Sequence, residues 1–271
     1  MARLSIEAAG LTDAGTVRQF NEDSIAFDAD LGLMVLADGM GGHRAGEVAS
    51  RMATASLLAA LRDQVPTFDA DDDPAPSQLA IGQSIIRAND EIFAAAQSNP
   101  ACRGMGTTLV MAVFRGQRVL LAHVGDSRIY RLRYNRLQLL TRDDSLLRDQ
   151  VELGLIDVAD AGGSHNRNLV TRALGIAAHV TPHLRDDDVL AGDVYLLCSD
   201  GLNDLVDDSD IELIMNSLKS NLPLATHHLV QAAKDNGGHD NVSAILVRLH
   251  ETPAMKTRGG WWQRLAAWFQ R

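Results

Sequence analysis

The stretch Thr107-Thr108-Leu109-Val110-Met111-Ala112-Val113-Phe114-Arg115-Gly116-Gln117-Arg118-Val119-Leu120-Leu121-Ala122-His123-Val124-Gly125-Asp126 decides the fold class. Two apolar runs, 107–114 and 118–124, flank Arg115-Gly116-Gln117. Strand-length runs joined by a short Gly-containing turn read as an antiparallel hairpin. Outward from it the strand theme recurs at 31–37, which ends on Asp38, and at 129–132, 193–198 and 242–249. Two helical patterns interrupt the strands. After Gly46, residues Val48, Met52, Ala55 and Ala59 share one face, and between Ser77 and Gln97, Ile81, Ile85, Ala88 and Ile92 do the same. Ser209, as an N-cap, and Pro223 open two further helices. Hairpin-like runs of strands with helices in pairs are not a βαβα alternation. They predict an α+β chain, antiparallel sheet with the helices segregated outside it. Residues 69–76 read as a solvated loop, and 145–168, polar and weakly periodic, as an inserted flap.

Composition narrows the function. The chain has 271 residues, of which 46% are hydrophobic, enough for a sizeable core. No apolar run is long enough to cross a membrane, and the first residues lack the apolar segment of a signal peptide. Cys102 and Cys198 are the only cysteines, which suits core thiols in a reducing cytoplasm. The net charge of −10 argues against nucleic acid as a partner. That figure hides a contrast. Residues 252–271 hold Lys256, Arg258, Arg264 and Arg271, no acid, and all three tryptophans, Trp261, Trp262 and Trp268.

Five acidic clusters sit at the ends of apolar runs or in Gly-containing turns: Asn21-Glu22-Asp23, Asp38-Gly39, Gly125-Asp126-Ser127, Ser199-Asp200-Gly201 and His239-Asp240-Asn241. One Asp-Gly at a strand end is usually just a turn. Five that converge would repel one another, and divalent cations resolve such repulsion. An all-oxygen set favours Mg²⁺ or Mn²⁺, and no Cys/His spacing of the zinc type occurs.

The motifs Gly15-Thr16-Val17-Arg18-Gln19-Phe20-Asn21-Glu22-Asp23-Ser24, Ala37-Asp38-Gly39-Met40-Gly41-Gly42-His43, Gly46-Glu47-Val48-Ala49-Ser50, Gly104-Met105-Gly106-Thr107-Thr108, Val124-Gly125-Asp126-Ser127-Arg128, Leu140-Thr141-Arg142-Asp143, Thr171-Arg172-Ala173-Leu174-Gly175, Cys198-Ser199-Asp200-Gly201-Leu202 and Gly237-Gly238-His239-Asp240-Asn241-Val242-Ser243 follow in one order. In that order the chain resembles the metal-dependent protein Ser/Thr phosphatases, the protein phosphatase 2C family, in its bacterial branch. The resemblance implies an αββα sandwich, two stacked antiparallel sheets flanked by pairs of helices. It also implies that Asp38 bridges two Mn²⁺ or Mg²⁺ ions. The Gly39 carbonyl and Glu22 or Asp23 would support one ion, Asp200 and Asp240 the other, and Asp126 with Asp200 a third, weaker site. Arg18 matches the phosphate-binding arginine. The implied activity is hydrolysis of phosphoserine and phosphothreonine by a metal-activated water, opposing a bacterial Ser/Thr kinase. A non-catalytic phosphoprotein binder of the same fold and a small-phosphoester hydrolase are the alternatives.

Two positions depart from the pattern. Some eukaryotic members carry a His directly after Asp-Gly, where this chain has Met40, so His43 is the candidate general acid or else a loop-fixing residue. Bacterial relatives often carry a His after Thr-Arg-Asp, where this chain has Asp144. The resemblance covers about residues 5–249, which gives a catalytic domain over 1–250 and a basic, Trp-rich amphipathic tail over 251–271. The tail reads as a contact with an anionic membrane surface, with a partner protein, or with the acidic body itself. The expected location is cytoplasmic, with peripheral attachment at the inner membrane face as one use of the tail.

Overall fold

The computed structural model describes residues 4–42, 44–68, 73–154 and 169–251. The elements run β1 (Leu4–Asp13), β2 (Asp23–Asp28), β3 (Leu33–Met40), α1 (Ala45–Arg62), α2 (Ala75–Ser98), β4 (Gly106–Thr107), β5 (Leu109–Arg115), β6 (Arg118–Val124), β7 (Arg128–Arg133), β8 (Arg136–Leu139), α3 (Leu146–Glu152), β9 (His183–Asp188), β10 (Val194–Cys198), α4 (Asp200–Asn203), α5 (Asp208–Leu218), α6 (Leu222–Asp235) and β11 (Val242–Glu251). One sheet has the order β1-β11-β10-β7-β8 and the other β2-β3-β5-β6-β9, with β4 added to β3. Every strand pair is antiparallel, including the β5–β6 hairpin, which closes with Arg115 opposite Arg118 around Gly116 in the left-handed region (φ 55°).

Three apolar layers explain the runs. Met34, Leu36, Val110, Ala112, Tyr195, Leu197, Ile245 and Val247 fill the space between the sheets. Leu33, Val35, Ala37, Met111 and Val113 point the other way, under α1 and α2. Leu196, Cys198, Ala244 and Leu246 lie under α5 and α6. β3 is therefore buried on both faces, so its sequence is a continuous apolar run rather than an alternation. The result is the αββα sandwich, with helices on both outer faces.

The helices required corrections. The face of α1 that enters the core is Ala45, Ala49, Ala53, Leu57 and Leu61; of the expected face only Met52 packs against it, and Val48, Ala55 and Ala59 are exposed. Its rotation is set at Gly46, where a Cβ would stand 2.7 Å from the Gly39 carbonyl carbon, so small residues must face the sheet. The expected α2 face, Ile81, Ile85, Ala88 and Ile92, is buried as read. Asp207 rather than Ser209 takes the N-cap position of α5; Ser209 lies within its first turn. Pro223 sits in the first turn of α6, whose cap is Asn221, accepting the Leu224 N–H at 3.2 Å. The expected strand from Leu31 begins at Leu33, after Gly32 turns with φ 70°. The segment read as loop from 145 opens instead with α3, capped by the Ser145 hydroxyl on the Arg148 N–H. Residues 155–168 of the expected flap and residues 252–271 of the tail lie outside the described residues.

The corrected face is testable by denaturant melts. Leu57→Ala should cost about 2–5 kcal/mol, as large-to-small changes in a closed core do. Val48→Ala, on the outer face, should stay within about 0.5 kcal/mol.

Candidate metal centre

Both sheets end at the same place with carboxylates. The β2–β3 register sets Asp23 opposite Asp38. Asp126 follows β6 through Gly125, whose φ of 100° and 2.8 Å clearance to Thr108 exclude any side chain. From the facing sheet, Asp200 follows β10 as the first residue of α4, and Asp240 lies two residues before β11. Glu22 lies just before β2.

Backbone brackets hold these groups. The Asp38 N–H donates to Thr108 Oγ1 at 3.1 Å, and its carbonyl accepts from the Thr107 hydroxyl and the Thr108 N–H, each at 2.8 Å. Gly39 packs so closely that a Cβ would stand 2.2 Å from the Gly46 carbonyl oxygen and 2.5 Å from that of Glu22. Asn241 spends its whole side chain on the site. Its Oδ1 accepts the Glu22 N–H at 2.7 Å, and its amide donates to the Ala14 and Phe20 carbonyls. Ser199 ties the sheets together, donating to Asp23 Oδ2 at 2.9 Å and accepting the Ser243 N–H. Arg18 lies at the mouth, its Nη2 2.8 Å from Asp240 Oδ2 and its Nε on the His239 carbonyl.

The electrostatics match this crowding. Burial lifts Asp23 from the ordinary 3.8 to about 6. Burial and the neighbouring Asp143 lift Asp126 to about 7, against Arg128. Asp38 and Asp200 rise well above the usual range through burial, and then through neighbouring carboxylates: Asp23, Asp200 and Asp126 around Asp38, Asp126 foremost around Asp200. Glu22 is raised by burial, partly offset by the backbone N–H groups of Glu47 and Gly46 at the start of α1.

The residues fit divalent cations. Asp23 Oδ1 is buried with no hydrogen-bond partner, beside carboxylates that repel it. An acceptor left bare in that setting suits a hard cation. Among the described residues no three His, Cys, Asp or Glu side chains stand in closed ligating geometry.

Support for Asp126 was only partly readable. Asp143 grips Arg128 through both oxygens, with the closest approach 2.7 Å, and Arg128 Nη1 donates to the Tyr130 hydroxyl. Asp144, the departure from the usual His, is a bracket of its own. Its Oδ2 accepts the Gly125 N–H at 3.1 Å, and its Oδ1 lies 3.0 Å from His183 Nε2. Sequence reasoning missed this role and that of Asn241, because both partners are remote in the chain. His43, like His165 and Arg167 of the expected flap, lies outside the described residues. His227 and His228 are exposed, and both cysteines are buried, with burial pushing Cys198 up to about 12.

The αββα sandwich thus gathers carboxylates from both sheets at one end, with a guanidinium at their mouth. Residues 14–232 match the model of the protein phosphatase 2C family, and the chain belongs to that family of metal-dependent Ser/Thr protein phosphatases. It is 41% identical over 250 residues to the serine/threonine protein phosphatase PstP of Mycobacterium tuberculosis, matching 91% of this chain and 46% of that protein. The chain thus spans about half the length of that relative. It is 36% identical over 239 residues to the serine/threonine phosphatase stp of Listeria monocytogenes, matching 87% of this chain and 93% of the relative. The crystal structure of M. tuberculosis PstP/Ppp superposes with a TM-score of 0.80 at 38% identity, over 90% of this chain and 99% of that one. The PstP catalytic domain in complex with two manganese ions superposes with a TM-score of 0.78 at 37% identity, over 91% and 99%.

The raised carboxyl groups set the pH dependence of the metal-free protein. Each binds its proton more tightly folded than unfolded, so the stability it contributes is full below the ordinary 3.8 and is lost as pH rises through about 6 for Asp23 and about 7 for Asp126. Thermal melts of chelator-treated protein should therefore fall between about pH 4 and 7.5. Asp126→Asn should flatten that fall; a slope identical to wild type would refute the repulsion at Asp126.

Proposed function

We propose that this chain hydrolyses phosphoserine and phosphothreonine in proteins. The observation that carries the reading is the convergence of Asp23, Asp38 and Asp126 from one sheet with Asp200 and Asp240 from the other, beside Arg18. In this reading Asp38 would serve two ions, the Gly39 carbonyl with Glu22 or Asp23 would support one, Asp200 and Asp240 would hold the other, and Asp126 with Asp200 would offer a third, weaker site. Bound Mn²⁺ or Mg²⁺ supplies Lewis acidity and lowers the pKa of water toward neutrality.

The chain's own groups do the rest. The fork of Arg18 suits two phosphoryl oxygens and offsets their charge. The oxygen of a water adds to phosphorus as the bond from phosphorus to the Ser or Thr oxygen breaks. The leaving oxygen takes a proton, for which His43 is the sequence candidate, and inorganic phosphate departs. No side chain forms a bond to phosphorus, so no phosphoenzyme accumulates. Asp38 and its threonine brackets fix the site before substrate arrives, which is where preorganised electrostatics acts.

The unit that performs this is residues 1–250, within which the segment 145–168 would shape substrate access. Its substrates are phosphoproteins, among them a Ser/Thr kinase and that kinase's targets. Among the described residues no helix is long and apolar enough to cross a membrane. The basic tail of 251–271 would instead bring a cytoplasmic enzyme to the inner membrane face or to a partner protein.

Purified protein should release phosphate from a phosphothreonine peptide with Mn²⁺ and stop on addition of EDTA. Asp38→Asn should lower kcat/KM by about a hundredfold or more; near-normal turnover would refute the assignment of Asp38. Deleting residues 252–271 should leave peptide hydrolysis within about twofold and shift membrane or partner association, read by vesicle co-sedimentation and pull-down.

A further inference from the structure

A cavity of about 280 Å³ opens beside Arg18, and hydrolysis as proposed uses only its Arg18 and Glu22 walls, leaving the side formed by Phe20 and Arg44 without a role. Arg18, Gln19, Phe20, Glu22, Arg44 and Asn241 line it. Asn241 has no donor left, since both amide hydrogens are already engaged. Arg44 is different. Its backbone is left-handed, at φ 68° and ψ 13°, a conformation that costs free energy for a residue with a side chain. That conformation accompanies a guanidinium lying 4.4 Å from the centroid of the Phe20 ring, within cation–π range. Phe20 itself is 46% exposed.

The charge on this wall is not balanced. Glu47 accepts from Arg44 at its Oε2 and pairs with Arg51 at its Oε1, at 3.1 Å in both cases. Two guanidiniums thus share one carboxylate. Arg44 Nη1 has no hydrogen-bond or ion-pair partner among the described residues.

We infer that this cavity is a specificity subsite for an acidic residue close to the phosphorylated one, with Arg44 meeting its carboxylate and Phe20 packing on its methylenes. The inference deepens the phosphatase reading and rests on it. Size agrees, because the cavity lies below the range of drug-sized sites and suits one side chain. Chemistry agrees, because a guanidinium edge with spare donors pairs with carboxylate in a planar fork. Position agrees, because Arg18 is a wall of this cavity and also the group that would hold the phosphate, so a residue one or two places away in the peptide reaches Arg44.

The test compares phosphothreonine peptides of one sequence that carry Glu, Ala or Lys at the two positions on either side of the phosphoresidue, with p-nitrophenyl phosphate as a substrate without neighbours. Wild-type protein with Mn²⁺ should favour Glu over Lys by about fivefold in kcat/KM, the scale of a half-exposed ion pair. Arg44→Ala should reduce that ratio to below about twofold, Arg44→Glu should reverse it, and Phe20→Leu should weaken it without reversal. The same Glu-to-Lys ratio in wild type and Arg44→Ala would overturn the inference. So would a uniform loss on every substrate, p-nitrophenyl phosphate included, which marks a structural role. Wild-type protein inert toward all substrates would overturn the phosphatase reading and this subsite with it.

Discussion

Carboxylates that repel one another are the constraint on which the rest of this structure depends. Asp23, Asp38, Asp126, Asp200 and Asp240 are brought to one end of the sandwich, and the fold spends many of its polar contacts on keeping them there. The Thr107 and Thr108 brackets, the Asn241 amide and the Ser199 link between sheets each hold backbone or carboxylate against that repulsion. Isolated, such a cluster is destabilising at neutral pH. Its presence at the end of a sandwich whose inner layer is apolar marks where stability gives way to function.

Close backbone approach is the second device. Gly39 and Gly46 touch at a distance no side chain allows, so the start of α1 lies directly on the strand end that carries Asp38. The backbone N–H groups of Gly46 and Glu47 then serve the Glu22 carboxylate. One contact between two glycines thereby sets the rotation of α1, the position of Asp38 and part of the environment of Glu22.

Antiparallel sheet with helices outside it, and acidic clusters at the ends of apolar runs, were legible in the chain because their signals are local, whereas the stacking of two sheets was implied by the family resemblance. A Gly turn between apolar runs specifies a hairpin, and Asp-Gly after such a run specifies a strand end. The buried face of α1 was misread because Ala45, Ala49 and Ala53 carry little hydrophobic signal, while Val48 and Met52 carry more. Close packing on the sheet, not hydrophobicity, chose that face. Asn241 was read only as part of a motif and Asp144 only as a departure from one, since their partners lie 219 and 39 residues away. Bracketing of this kind leaves no period and no spacing. Arg44 escaped for a further reason: what sets it apart is a backbone angle and a ring beneath it, neither of which a single residue letter carries.

The ion pair between Arg18 and Asp240 has a thermodynamic consequence. The residue that would grip the substrate's anion is at rest on a residue that would grip a cation. Anything positive that draws on the charge of Asp240 loosens its hold on the guanidinium and leaves that guanidinium freer to bind an anion. Affinities for the two kinds of ligand are then linked, and linkage is reciprocal: whatever factor the cation lends the anion, the anion returns. Cofactor and substrate would in that case report on each other's concentration through a single arginine.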